Sequence, residues 1–177
     1  MTRRRAALAC SLAVLASPAC GSRSTSAPAQ TRTITLGWHE ETGAPGARFV
    51  VEVQRLIVRP NGWSVTAAVT NKTHVTFMVG RPHHPGETEF GVVVLPNADL
   101  GALDAAGPGV YATSLQPPVP HSLAPGDGWR GTFTGRGRLE NGRYVRIELG
   151  RFTTVGPAQE GVPWRFSYIT DHVTRLG

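Results

Sequence analysis

Cysteine is nearly missing from this chain. Its 177 residues include 2 cysteines, Cys10 and Cys20, both near the N-terminus. From Gly21 onward there is no thiol, so no disulfide, no C-x-x-C pair and no cysteine nucleophile can arise within that stretch. Lysine is as scarce, with Lys72 alone among 18 basic residues and arginine supplying the rest. Acids number 12, too few for an acidic disordered tail. No apolar run approaches the about 20 residues that a membrane-spanning helix needs. The chain contains no G-x-S-x-G elbow, no H-E-x-x-H pair and no glycine-rich phosphate loop. It therefore lacks the short motifs that mark serine hydrolases, zinc peptidases and nucleotide-dependent enzymes.

What is present begins with an export signal. Arg3, Arg4 and Arg5 form a positive start, Ala6 to Ala16 an apolar core, and Ser17-Pro18-Ala19 a run of mostly small residues before Cys20. That order is the anatomy of a secretory leader. A breaker-rich stretch follows at once, which argues against a buried helix at the start of a folded domain. With cleavage before Cys20, the mature protein opens on its only cysteine. The arrangement resembles a bacterial lipoprotein, and the resemblance implies acylation of Cys20 and an extracytoplasmic protein held on the cell membrane. Ser17-Pro18-Ala19 also suits the small-x-small rule of ordinary signal peptidase. The two readings cut at the same bond and differ in whether Cys20 carries lipid or a free thiol. The expected organisation is a signal over 1–19, lipid attachment and a tether over 20–32, and a folded domain over 33–177.

The leader also distorts the charge. Three cations fall in it and no acids do, so the mature chain holds 15 basic and 12 acidic residues, a net +3 against +6 overall. That is a solubility charge rather than a nucleic-acid footprint, and no nucleic-acid partner is expected. The segment from Gly21 to Arg32 offers little to bury and reads as a flexible tether. The remainder is long enough for one domain whose core must supply the stability, since a domain of about 150 residues buries roughly 68–70% of its unfolded surface.

Past the tether the pattern has period two. Phe49, Val51 and Val53 share one face, and Leu56 and Val58 continue it after a bulge. Asn61-Gly62 marks a turn, and Trp63, Val65, Ala67 and Val69 then alternate with polar or small residues, which predicts a hairpin. Further strands are expected around Val75 to Val79, Phe90 to Leu95, Trp129 to Phe133, Tyr144 to Phe152 and Val162 to Tyr168. The run Phe90 to Leu95 is apolar throughout and suits a strand covered on both faces. The stretch Asn97 to Ala106 reads either as a short helix capped by Asn97 or as a polar loop; Gly101 costs the helix about 1 kcal/mol relative to alanine. The whole predicts an all-β, antiparallel β-sandwich of about seven or eight strands, with a barrel as the alternative. Trp63 to Thr73 and the Leu123-Ala124-Pro125-Gly126 corner before Trp129 resemble bacterial immunoglobulin-like domains. That resemblance implies an immunoglobulin-like sandwich. Asn71-Lys72-Thr73 matches a glycosylation sequon but reads as a turn.

No residue set announces catalysis, and the expected function is a non-catalytic envelope binding module without a cofactor, its partner an envelope protein or wall polymer. One alternative is a metal site built on His83 and His84 with His74, since imidazoles near a carboxylate suit zinc or copper. The other is a hydrolase using Asp171, His172 and a serine from elsewhere. Arg136, Arg138 and Arg146 share parity on adjoining strands and are expected to line one exposed face for an anionic partner. His39-Glu40-Glu41, beside the tether, reads as solvated loop. The tryptophans Trp38, Trp63, Trp129 and Trp164 read as core.

Overall fold

The computed structural model describes residues 30–80, 89–101, 109–157 and 160–177. The strands are β1 (Arg32–Ala44), β2 (Ala47–Arg59), β3 (Gly62–Lys72), β4 (Thr76–Val79), β5 (Phe90–Leu95), β6 (Val110–Tyr111), β7 (Ser114–Gln116), β8 (Ser122–Leu123), β9 (Gly128–Arg136), β10 (Tyr144–Val155), β11 (Arg165–Ile169) and β12 (Thr174–Arg175). They pair antiparallel in two sheets. One has the order β1-β2-β3-β9-β7; the other runs β6-β5-β10-β4-β8, with β11 and β12 also on β10. The protein is an all-β sandwich.

The strands beyond the expected seven or eight fall into two groups. β6, β7, β8 and β12 span two or three residues each, too short to leave an alternation in sequence. β1 is long, and it occupies the place read as loop. Its signal is the alternation Ile34, Leu36, Trp38, Glu40, which ends on a charge. A register shift against β2 falls between Thr35 and Trp38, at Gly37 with φ +62, a conformation that glycine adopts without strain.

The β2–β3 hairpin forms as its alternation requires. Arg59 pairs with Gly62, so Pro60 and Asn61 are the two loop residues, one position earlier than the Asn-Gly signal suggests. A register shift between Val53 and Arg55 lets Phe49, Val51, Val53, Leu56 and Val58 all reach the core. β5 is buried along nearly its whole length. β10 is buried on both faces from Val145 to Gly150. No described residue is helical. At Asn97 the side chain accepts the Asp99 N–H at 3.1 Å in a tight bend, which is the polar-loop alternative; residues 102–106 lie outside the described set.

The core is aromatic in two groups. Phe49, Phe77, Phe152 and Phe166 meet edge-on or tilted with centroids 4.5–6.3 Å apart, and Trp63, Phe90, Trp129 and Phe133 form the second. Glycines of β9 make room for both indoles. A Cβ at Gly131 would stand 2.5 Å from the Trp129 ring, and one at Gly135 would stand 2.2 Å from the Trp63 ring. Trp38 is half-buried and Trp164 is 61% exposed, so Trp164 does not belong to the core. It precedes β11, and its backbone oxygen, not its ring, is held by Thr154.

Candidate functional site

Cys20, His83 and His84 lie outside the described residues. His74 is exposed in the turn between β3 and β4, and no group of three or more metal-binding side chains occurs among the described residues. Asn71-Lys72-Thr73, read from sequence as a turn, instead closes β3 with Asn71 and Lys72 still paired to β2, and only Thr73 enters the bend to β4; Asn71 is fully buried. The Asn71 amide donates to the Val75 and Leu123 oxygens at 2.8 and 2.9 Å. Its oxygen accepts the Thr73 N–H and hydroxyl at 3.0 and 2.6 Å. That amide is committed to stitching the β3–β4 turn to the Leu123-Ala124-Pro125-Gly126 corner.

The arginine face divides. Arg136 and Arg138 are exposed, but Arg146 is 4% exposed and does not line a surface with them. The expectation treated β10 as half-solvated; instead its outer side is covered, with the Arg146 guanidinium donating to the backbone oxygen of Thr170, to those of Leu100 and Ile169 at 3.3 Å, and to Asp171 Oδ1 at 3.2 Å. Arg146 pins the β11–β12 connection onto β10.

Next to it sits the group that most resembles reaction machinery. Glu40, 8% exposed on β1, accepts the Tyr168 hydroxyl at 2.9 Å and the Asp171 N–H at 3.0 Å on Oε2. On Oε1 it meets the His172 N–H at 3.1 Å and His172 Nδ1 at 2.5 Å. The His172 ring stacks on Trp38 at 5.4 Å. Glu40, not Asp171, therefore orients His172; the Asp171 carboxylate belongs to Arg146. A carboxylate offers about four acceptor sites, and here all are taken. Burial pushes the Glu40 carboxyl up, but the hydrogen bonds from His172, Asp171 and Tyr168 outweigh it and hold the group below its ordinary range. The same geometry holds the Tyr168 hydroxyl in its protonated form, through burial first and then the bond to Glu40. The sequence signal for this group was the charged end of the β1 alternation together with Asp171-His172.

Glu148 carries a second perturbed carboxyl. It is 6% exposed on β10, and burial, with repulsion from Glu89, pushes it up to about 7 against an opposing pull from Arg151. Glu89 sits at φ 55, receives Arg151 Nε at 2.8 Å and accepts Ser167 Oγ at 3.3 Å.

A third feature is an open groove of about 480 Å³ at one end of the five-stranded sheet. Thr31, Arg59, Pro60, Asn61 and Arg136 are among the residues that line it. Trp63 also lines it, and its indole N–H is buried without a hydrogen-bond partner.

Comparison with protein-family models, with curated proteins and with solved structures finds no match to this chain.

Proposed function

We propose that this chain is a lipid-anchored protein of the bacterial cell envelope whose β-sandwich is a non-catalytic binding module. The observation that supports it best is the set of partners around Glu40 and His172. In a catalytic pair the oriented imidazole also holds a nucleophile on its other ring nitrogen; among the described residues the His172 ring hydrogen-bonds only to Glu40 and stacks on Trp38. Here the carboxylate also holds two backbone N–H groups and a tyrosine hydroxyl, so the pair acts as a clamp between β1 and the C-terminal segment. Both sheets are joined through it, and loops at the two ends of the sandwich are left to meet partners. The leader and the isolated Cys20 argue for the anchor.

Fractionation of cells carrying the chain or its Cys20→Ala form tests the anchor. The parent is expected in the membrane fraction and the variant in the soluble fraction; a parent found in the culture medium contradicts it. A screen of ester, amide and glycoside substrates tests the rest. Turnover that disappears in His172→Ala while the fold is retained would return the pair to catalysis.

A further inference from the structure

One end of the sandwich gathers arginines that no carboxylate among the described residues neutralises. β1 begins at Arg32, paired with Val58. The adjacent strand ends at Arg59, whose partner across the turn is Gly62, and Gly62 pairs on its other side with Arg136 at the end of β9. Arg138 follows in the connection to β10. In the facing sheet, β10 opens at Tyr144, opposite Arg175, whose guanidinium lies 6.0 Å from the Tyr144 ring centroid. Register thus places Arg32, Arg59, Arg136, Arg138 and Arg175 at one end. None of them makes a salt bridge among the described residues. Arg59 donates to the Ser64 hydroxyl at 3.0 Å. Arg143, at the same end, is matched by Glu140, and the Asp99 carboxylate takes the Gly101 N–H. Arginines elsewhere are mostly paired: Arg48 with Glu41, Arg130 with Glu52, Arg151 with Glu89 and Arg146 with Asp171. Arg59 and Arg136 share the groove floored by Trp63.

The chain also arrives at this end, because Thr31 lines the groove and Arg32 starts β1. We infer that this end docks on an anionic phospholipid surface and seats the sandwich end-on against the bilayer. Its placement beside that bilayer rests on the anchor proposed at Cys20; the un-neutralised charge does not. If Cys20 to Arg32 is the flexible tether that its composition predicts, its span would be roughly 20 Å root-mean-square, which would keep this end near the headgroups, and the Debye length of about 8 Å lets the attraction act once they approach. Phosphates of anionic headgroups fit the forked donors of Arg59 and Arg136.

Spin labels test the orientation on the full chain, at Asn61→Cys in the docking end and at Pro45→Cys in the turn at the other. The vesicles are phosphatidylcholine with 30 mol% phosphatidylglycerol, or phosphatidylcholine alone. On the anionic vesicles the label at 61 is expected at headgroup depth and the label at 45 in water. High salt, neutral vesicles, or Arg136→Glu with Arg138→Glu should return the label at 61 to water, whereas Lys72→Glu with Arg165→Glu at the far end should not. An acylated chain whose two labels both stay in water on anionic vesicles overturns the docking surface and leaves the anchor standing. If mass spectrometry instead finds Cys20 unmodified, the anchor fails. Docking is then read from sedimentation of that same chain with the anionic vesicles. Binding weakened at least about 25-fold by the Arg136→Glu and Arg138→Glu pair, about fivefold for each arginine lost before the repulsion of the added glutamates is counted, supports it. Equal binding to neutral and anionic vesicles overturns it.

Discussion

At the scale of single residues, two buried carboxyls pull stability in opposite directions with pH. Glu40 is held below its ordinary value of 4.5. The folded protein keeps it charged where the unfolded chain protonates it, so its contribution is present above pH 4.5 and is lost as pH falls below that. Glu148, raised to about 7, behaves the other way. Between pH 4.5 and 7 the folded protein holds a proton that the unfolded chain releases, so its contribution is present below 4.5 and lost as pH rises through 7. Denaturant titrations at several pH values should show stability falling from pH 4.5 to 7 in the parent and staying flat over that range in Glu148→Gln. A fall of the same size in the variant would remove Glu148 as the cause. Glu40→Gln should lose about 2 kcal/mol at pH 6, the value of charge-assisted bonds to a buried acceptor. It should also lose the acid-side decline. Asn71→Ala strands the Val75 and Leu123 oxygens and the Thr73 donors, and is expected to cost roughly 3 kcal/mol by thermal or denaturant unfolding.

Among the elements, β9 shows how the sequence uses small residues. Trp129, Gly131, Phe133 and Gly135 alternate on its inner face, so each large ring stands beside a glycine. Gly135→Ala puts a methyl where the Trp63 indole lies and should destabilise by about 2 kcal/mol, the usual cost of overpacking. Gly142→Ala, where an added Cβ meets nothing but φ is +79, should cost about 1 kcal/mol through backbone strain alone. Equal losses at both sites would argue against the Trp63 contact. The elements also show what a sequence reveals. The β2–β3 hairpin was readable because its apolar residues alternate across a turn, and β5 because a continuous apolar run of that length suits a doubly covered strand. β1 was missed for a physical reason: its inward row ends in Glu40, and hydrophobic periodicity does not register a buried carboxylate paid for by hydrogen bonds from residues some 130 positions away. Arg146 was misplaced in the same way, since parity gives the face of a strand but not what covers that face.

On the scale of the whole molecule, the sandwich has two unlike ends. One receives the N-terminal segment and concentrates, around the Arg59–Arg136 groove, arginines that have no ion-pair partner among the described residues. The other holds the β1–β2 and β3–β4 turns, where Arg48 is neutralised by Glu41. A protein held by its N-terminus with the basic end toward the bilayer presents the opposite end to the envelope. If the proposed anchor and docking hold, the partner of such a module would meet those far turns, and charge substitutions there should weaken partner capture while leaving membrane binding intact. The central claim is that Cys20 attaches this sandwich to a membrane. Mass spectrometry of the N-terminal peptide from the mature, cell-derived protein tests it most directly. The account predicts a chain that begins at Cys20 with a diacylglyceryl group on its sulfur. A chain that begins at Cys20 with a free thiol, or that retains Ala19, would contradict it.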